Sequence, residues 1–193
     1  METIILASGS PRRRELLERV RIPLKIVSPQ VDETWDGGGS PADMTTALAR
    51  RKVEAVLALF RNEAPRWVLG ADTVVELDGA VLGKPTGIEE AERFLRLLSG
   101  NAHRVHTGLA LHVERSRPVE LEAVATEVCF RPLEEEEIRW YLESGEWAGA
   151  AGAYRIQERG AFLVQEIRGS WSNVVGLPLE AFYGMLKRNS FKF

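Results

Sequence analysis

Cysteine, lysine and aspartate are all scarce in this chain of 193 residues. The single cysteine, Cys129, excludes a disulfide within the chain and any metal site built from several cysteines. We expect it to be a small core residue in the apolar string VCF. Lysine and aspartate occur five times each, against twenty arginines and twenty-three glutamates. Because arginine and glutamate are the ordinary charged residues here, each lysine and each aspartate is a candidate for a specific role.

Long apolar runs and basic stretches are also absent. No run approaches the roughly 20 apolar residues that a membrane-spanning helix needs, and the first residues lack the basic start of a secretory signal. We therefore expect a cytoplasmic protein without a membrane partner. The net charge of −3 argues against a nucleic-acid polymer as partner. A hydrophobic content of 45% and a charged content of 27% exclude a disordered tail. The length predicts one domain over residues 1–193, the alternative being two tightly joined halves.

The spacing of apolar residues predicts alternating strands and helices in the first hundred residues and hairpins afterwards. The predicted strands are residues 3–8, 24–27, 67–77, 81–82, 104–114, 119–130, 161–164 and 174–175. The predicted helices are residues 12–20, 40–61, 88–98, 134–143 and 179–187, and a turn is predicted at 115–118. This order is typical of an α/β or α+β domain with a mixed sheet.

Asp72 is a carboxylate inside an apolar segment, WVLGADTVV, which belongs to the strongest predicted strand of the chain. Burying an unpaired carboxylate costs several kcal/mol, so this group must be paired, bind a metal or face a cleft. Gly70 lies two residues earlier on the same face of the strand and leaves space beside it. We interpret Asp72 as a general base or a metal-associated carboxylate, the alternative being a structural aspartate held by backbone N–H groups.

Residues 8–14 (SGSPRRR) connect the first strand to a helix that begins at Pro11. Exposed N–H groups and the helix dipole make a helix N-terminus an anion site. Three arginines in the first turn oppose that dipole unless an anion compensates them, and their forked donors fit phosphate oxygens. The alternative is that they pair with Glu15, Glu18 or other acids. The segment matches neither a P-loop nor a Rossmann fingerprint.

Two lysines fit a phosphate site. Lys52 lies on the apolar face of the second helix, and Lys84 lies in the Gly-Lys-Pro loop that follows a short strand. The alternative for each is an aliphatic stem with its charge in solvent. Glu33 lies in an acidic, glycine-rich loop and is a weak candidate ligand for Mg²⁺, which takes one or two carboxylates together with substrate phosphates.

The remaining polar residues give weaker signals. His103 and His106 are three apart on a predicted strand and face opposite sides, so they are poor metal ligands. Gln157 offers a neutral amide that suits the edge of a base, although a surface glutamine is the ordinary interpretation. From the residues alone, we expect an α/β domain with a phosphate-rich anion site and a buried carboxylate that can activate water.

Five strings then resemble the Maf (septum-formation-inhibitor-like) family, in its order and spacing across nearly the whole chain. They are LASGSPRRRELL (residues 6–17), GADTVV (70–75), LGKP (82–85), AGAYRIQ (151–157) and VVGLPL (174–179). The resemblance implies a nucleoside triphosphate pyrophosphatase that uses a divalent cation, Mg²⁺ or Mn²⁺, and often forms a homodimer. It implies an α/β fold with an elongated mixed sheet, flanking helices and two lobes around a deep cleft.

The resemblance also assigns roles to residues. Asp72 matches the family's proton acceptor. Five further positions match those at which the family contacts the phosphates and the metal: Ser8, Arg13, Glu33, Lys52 and Lys84. The metal ligands stay unassigned, with Glu33 and Asp72 as candidates.

Three further positions separate the branches of the family. Arg12, Thr73 and Gln157 resemble the branch that hydrolyses dTTP and UTP, whereas the branch acting on 7-methyl-GTP has Trp, Gln and Glu there. A neutral pyrimidine suits an amide, and a cationic purine suits a Trp stack and a carboxylate. Arg155 departs from the family, which usually has glycine at this position.

Two alternatives belong to other functional classes. A nucleotide sensor acting in cell division needs no hydrolysis, but an anion binder gains nothing from the buried carboxylate of Asp72. A nucleotidyl transferase uses the same phosphate site and reacts only when an acceptor is present. Pyrophosphate release from a panel of nucleoside triphosphates distinguishes all three.

Overall fold

A computed structural model describes residues 1–35, 38–60, 65–114 and 117–193. The strands within these ranges are β1 (Ile4–Ala7), β2 (Leu24–Ile26), β3 (Val68–Leu77), β4 (Ala80–Leu82), β5 (Ala102–His112), β6 (Glu120–Phe130) and β7 (Val164–Arg168). The helices are α1 (Pro11–Arg19), α2 (Pro41–Leu59), α3 (Ile88–Leu98), α4 (Glu135–Glu143), α5 (Trp171–Val175) and α6 (Leu179–Arg188). None of the helices in these ranges is both long and apolar enough to cross a bilayer.

The strands form one mixed sheet in the order β2-β1-β3-β5-β6-β7, and β4 pairs with β3. β1 runs parallel to both β2 and β3, and Ile5 lies opposite Val68. β3 and β4 form an antiparallel hairpin whose turn contains Asp78 and Gly79, both with positive φ. The mixed sheet with flanking helices confirms the α/β class that the alternating pattern predicts.

The chain divides into two compact units. The first contains Met1–Asp72, Thr107–Val124 and Gly176–Phe193, and the second contains Thr73–His106 and Ala125–Val175. The first unit therefore draws on three separate stretches of sequence.

Close backbone packing places α2 against the strands of the first unit. Apolar side chains of α2, β1, β3 and β5 form a buried cluster of Ile5, Ala7, Ala49, Val53, Val56, Val68 and Ala110. Gly108 lies against the peptide between Thr45 and Thr46, where a Cβ on Gly108 would stand 2.3 Å from backbone atoms. The helix begins with a capping box in which Ser40 and Asp43 satisfy each other's backbone N–H groups.

Two predicted strands are wrong in whole or in part. Residues 174–175 belong to α5, because Ser170 accepts hydrogen bonds from the backbone N–H of Asn173 and Val174 and so begins a helical turn. Most of the predicted strand 161–164 is a 3₁₀ helix, Arg159–Leu163, and β7 begins only at Val164. In both places local hydrogen bonding prevails over the strand preference of apolar residues.

Cys129 is also placed differently from the expectation. It is partly exposed on β6, whereas its neighbours Val128 and Phe130 are buried. Alternate residues of a strand face opposite sides of the sheet, and the apolar string VCF hides this alternation. Arg61, the predicted end of α2, and Arg115 and Ser116 of the predicted turn lie outside the described residues.

Candidate active site

Asp72 is the buried carboxylate of the first unit. It lies in β3 with its side chain 10% exposed, and its Oδ1 accepts a hydrogen bond from Lys52 Nζ at 2.6 Å. The carboxylate is therefore buried in a charged pair, which avoids the cost of an unpaired charge.

Lys52 holds two carboxylates at once. Its side chain lies on the buried face of α2 and is 9% exposed. Nζ lies 2.7 Å from Glu33 Oε1 as well as 2.6 Å from Asp72 Oδ1. The ammonium thus joins the loop before α2 to β3, and it brings three of the predicted site residues together. Glu33 is the most exposed of the three, with 45% of its side chain accessible.

Arg13 and Ser8 form a second buried group in the same unit. Arg13 Nε donates to the carbonyl oxygen of Gly176 at 2.7 Å, and Nη1 donates to Ser8 Oγ at 3.1 Å. Ser8 Oγ also accepts from the backbone N–H of Ser10 at 3.2 Å. Burial lowers the pKa of Arg13 from its ordinary value, while the carboxylates of Asp72 and Glu33 act in the opposite direction.

The three arginines of α1 have different surroundings. Arg14 is exposed and donates from Nε to Glu18 at 2.7 Å, the pairing that the alternative interpretation predicts for it. Arg12 is half-buried next to Arg13 at the start of the helix. The helix begins at Pro11 as expected. Ser10 is its N-cap residue, but the Ser10 side chain accepts no hydrogen bond from the backbone N–H groups of the first turn.

The second unit brings two of the sequence motifs together. The backbone N–H of Gly152, in AGAYRIQ, donates to the carbonyl oxygen of Gly83, in LGKP, at 3.1 Å. Gly152 has a φ of +68°, and a Cβ there would stand 2.8 Å from Val75 Cγ2, so glycine suits this position. Lys84, beside Gly83, is exposed.

Gln157 and Thr73 complete the set of predicted residues. Both polar atoms of the Gln157 amide are buried and lack a hydrogen-bond partner within the described ranges. An amide left in this state has unmet hydrogen-bonding capacity that a ligand can satisfy. Thr73 follows Asp72 in β3 and is partly buried.

A buried aromatic group supports the segment before Gln157. Tyr154 Oη lies 2.8 Å from His103 Nε2, and both rings contact Phe130 edge to face. Burial lowers the pKa of His103 to about 4. The contact between His103 and Tyr154 was not predicted, because His103 was interpreted only as a poor metal ligand. The alternation of side chains along β5, which turns His103 inward, is the sequence feature that indicates its burial.

The carboxylates could hold a divalent cation only with help from a ligand. The described residues contain no group of three or more His, Cys, Asp or Glu side chains arranged to bind a metal. Glu33 and Asp72 nevertheless share one cation, Lys52, and supply hard oxygen atoms. That donor set fits Mg²⁺ or Mn²⁺ arriving with phosphate oxygens.

Comparison with known proteins agrees with these motifs. The family model described as "Maf-like protein" matches residues 3–189. A dTTP/UTP pyrophosphatase of Pelotomaculum thermopropionicum is 45% identical over 188 residues, which cover 97% of each chain. One of Symbiobacterium thermophilum is 48% identical over 186 residues, covering 96% of this chain and 93% of the relative.

Among solved structures, the Ham1 protein of Staphylococcus aureus matches with a TM-score of 0.46 and 15% identity, over 67% of this chain and 72% of that one. The family match extends over nearly the whole chain, and the two relatives agree with it at 45% and 48% identity. The chain therefore belongs to the Maf-like protein family.

Proposed function

We propose that this protein is a nucleoside triphosphate pyrophosphatase that hydrolyses dTTP and UTP to the nucleoside monophosphate and pyrophosphate. The observation that carries the proposal is the buried Asp72 carboxylate, held by Lys52 at 2.6 Å. A carboxylate in that position is suited to accept a proton. The printed names of the relatives, dTTP/UTP pyrophosphatase, support the same activity and substrates.

In the proposed reaction, Asp72 orients a water molecule and accepts its proton. The water oxygen attacks the α-phosphorus, a new P–O bond forms, and the bond from the α-phosphorus to the leaving pyrophosphate breaks. Lys52, Arg13 and Lys84 bind phosphate oxygens and stabilise the negative charge that develops on the leaving group. Ser8 supports this step by holding Arg13 Nη1 at 3.1 Å.

A divalent cation, Mg²⁺ or Mn²⁺, belongs to the proposal. Glu33 and Asp72 would hold it together with the triphosphate, and it would supply positive charge next to the phosphate oxygens. The chain's own residues bind and orient the nucleotide, and Asp72 takes the proton.

Specificity is assigned to three residues. Gln157 pairs with the base through its unpartnered amide, and Arg12 and Thr73 complete the selection of pyrimidines. We further propose that the enzyme acts in the cytoplasm, where nucleoside triphosphates are made and used, and that it forms a homodimer without a nucleic-acid or membrane partner.

The experiment that tests the function is a panel of UTP, dTTP, CTP, ATP and GTP, assayed for pyrophosphate release with Mg²⁺ and with Mn²⁺. We expect the highest kcat/KM for UTP and dTTP, with monophosphate and pyrophosphate in equal amounts. Nucleotide binding without any hydrolysis would favour a sensor instead. Reaction only after an alcohol or amine acceptor is added would favour a transferase.

A further inference from the structure

Gln157 is the third residue of a tight turn whose ends are joined twice. The backbone N–H of Glu158 donates to the carbonyl oxygen of Arg155 at 3.2 Å. The side chains of the same two residues form an ion pair, in which Arg155 Nη1 lies 3.4 Å from Glu158 Oε2. A backbone bond and an ion pair between the same residues restrict the turn more than either contact alone.

Arg155 is also tied to its surroundings on two other sides. Its Nη2 donates to the carbonyl oxygen of Ala148 at 2.8 Å. Its backbone N–H donates to Oη of Tyr141, a fully buried side chain of α4, at 3.0 Å. Gly160 allows the chain to return against Arg155, since a Cβ on Gly160 would stand 2.5 Å from the Arg155 carbonyl oxygen. Arg155 thus fixes the start of the turn to two separate segments.

These contacts leave the Gln157 amide unsatisfied, as well as Nε of Arg155. The oxygen and nitrogen of the Gln157 amide are both buried without a partner among the described residues, while the adjacent Ile156 is buried and anchors the chain. Fixing a group before its ligand arrives reduces the entropy lost on binding. A turn held in this way therefore increases affinity for whatever the amide binds.

We propose that Arg155, paired with Glu158, is a positioning residue that orders Gln157 for recognition of the pyrimidine base; this inference rests on the proposed function. Arg155 acts through Gln157 and does not touch the reacting atoms. Its contribution therefore belongs to substrate binding, so it should affect KM for pyrimidine nucleotides and leave kcat nearly unchanged.

The principal test compares Arg155→Gln with Arg159→Gln, which removes the same charge at the start of the following 3₁₀ helix. Arg159 lies over the Trp140 ring and 3.8 Å from Glu146, so it holds neither end of the turn. For Arg155→Gln we expect KM for UTP to rise roughly threefold to tenfold, as for loss of an ion pair and a charged hydrogen bond. We expect kcat and the kcat/KM for GTP to stay within about twofold. Arg159→Gln should match the wild type.

Two further variants keep the test informative if Arg155→Gln folds poorly. Glu158→Gln removes the ion pair alone and should raise KM for UTP by a smaller factor. Arg155→Lys keeps the charge but has one nitrogen where the guanidinium uses two, so it should restore part of the affinity. An equal loss of kcat/KM for UTP and GTP in these variants would indicate general damage to the fold and overturn the proposal.

A double-mutant cycle with Gln157→Ala separates positioning from direct contact. If Arg155 acts through Gln157, Arg155→Gln should change KM little further in the Gln157→Ala background. An undiminished effect there would show that Arg155 contacts the nucleotide itself, and the positioning role would be wrong. If Gln157→Ala lowers the UTP preference but Arg155→Gln does not, only the positioning role fails. If Gln157→Ala leaves the preference unchanged, base recognition in the proposed function fails with it.

Discussion

Gly70 of β3 lies directly against the backbone of Ala49 in α2. A Cβ built on Gly70 would stand 2.4 Å from the Ala49 carbonyl oxygen and 2.8 Å from Val53 Cγ2. This close approach holds α2 next to the strand that bears Asp72, and it allows Lys52, one turn after Leu48 on α2, to reach the carboxylate. The absence of one side chain thus supports the pairing at the proposed active site.

Gly70→Ala should therefore destabilise the protein. Overpacking of this kind costs about 1–3 kcal/mol, which corresponds to a fall of several degrees in Tm for a chain of this size. Gly83→Ala is the matched control, because nothing lies within 4 Å of a Cβ at Gly83. Thermal unfolding of both variants checks the expectation, and a Gly70→Ala variant as stable as Gly83→Ala would contradict it.

Asp72→Asn should separate activity from binding. We expect kcat to fall by about 10²–10⁴ or more, because the variant lacks the proton acceptor. The fold should be retained, since Lys52 keeps Glu33 as a partner at 2.7 Å. Single-turnover kinetics and nucleotide titration measure the two effects. Turnover like that of the wild type would exclude Asp72 as the base.

Removal of Lys52 should have a larger effect on stability than removal of the Asp72 charge. Lys52→Met leaves Asp72 buried without its ion-pair partner, and breaking such a pair from one side costs about 3–5 kcal/mol. Adding Asp72→Asn to Lys52→Met removes the unpaired charge and should recover part of that loss. We therefore expect Lys52→Met to be the least stable of the two single variants and the double variant, and urea unfolding of all three tests this ranking. A double variant less stable than Lys52→Met would refute it.

Lys84 should affect turnover without affecting stability. The residue is exposed in the loop after β4, so Lys84→Arg and Lys84→Gln should unfold at the wild-type temperature. If a compact ammonium is needed for phosphate, Lys84→Arg should still lower kcat/KM for UTP, and Lys52→Arg should do the same. Lys25→Arg is a control for the loss of a lysine. Full activity of Lys84→Arg would show that any cation suffices there.

Stability should decline in weak acid because His103 is buried. Its pKa is about 4 in the folded protein and about 6.5 in the unfolded chain, so the unfolded state binds the proton more readily. The neutral imidazole contributes stability that is fully present above pH 6.5 and is lost as the pH falls toward 4. The loss amounts to about 3 kcal/mol.

A His103→Asn variant isolates this contribution, since asparagine does not titrate. Urea unfolding from pH 7.5 to 4.5 should give a flatter curve for the variant than for the wild type, even if the variant is less stable throughout. Parallel curves for the two proteins would assign the acid sensitivity to other groups.

Regular elements of the first unit could be predicted from sequence because their signals are local. The position of Lys52 on the apolar face of its helix follows from its spacing to Leu48, and the burial of Asp72 follows from its apolar neighbours. Both residues are buried as expected. Glu33 gave only a weak signal, because a loop residue carries no periodicity that indicates where its side chain points.

Contacts between distant residues could not be predicted in this way. The bond from Arg13 to Gly176 joins positions 163 apart, and only the folded chain brings them together. The turn that contains Gln157 is held in place by hydrogen bonds from Arg155 to Tyr141 and Ala148, which lie outside the turn itself. The helical turn at residues 174–175 shows the same limit on a smaller scale, since Ser170 and not the valines determines it.

The bond between Arg13 and Gly176 also has a consequence for synthesis of the protein. The ribosome makes the chain from its N-terminus, so Arg13 emerges long before the carbonyl group that it binds. The first unit needs Gly176–Phe193 to be complete. In every nascent chain Arg13 therefore lacks this partner until Gly176 has been made, so the buried group of Arg13 and Ser8 reaches its final set of contacts only after synthesis of a further 163 residues.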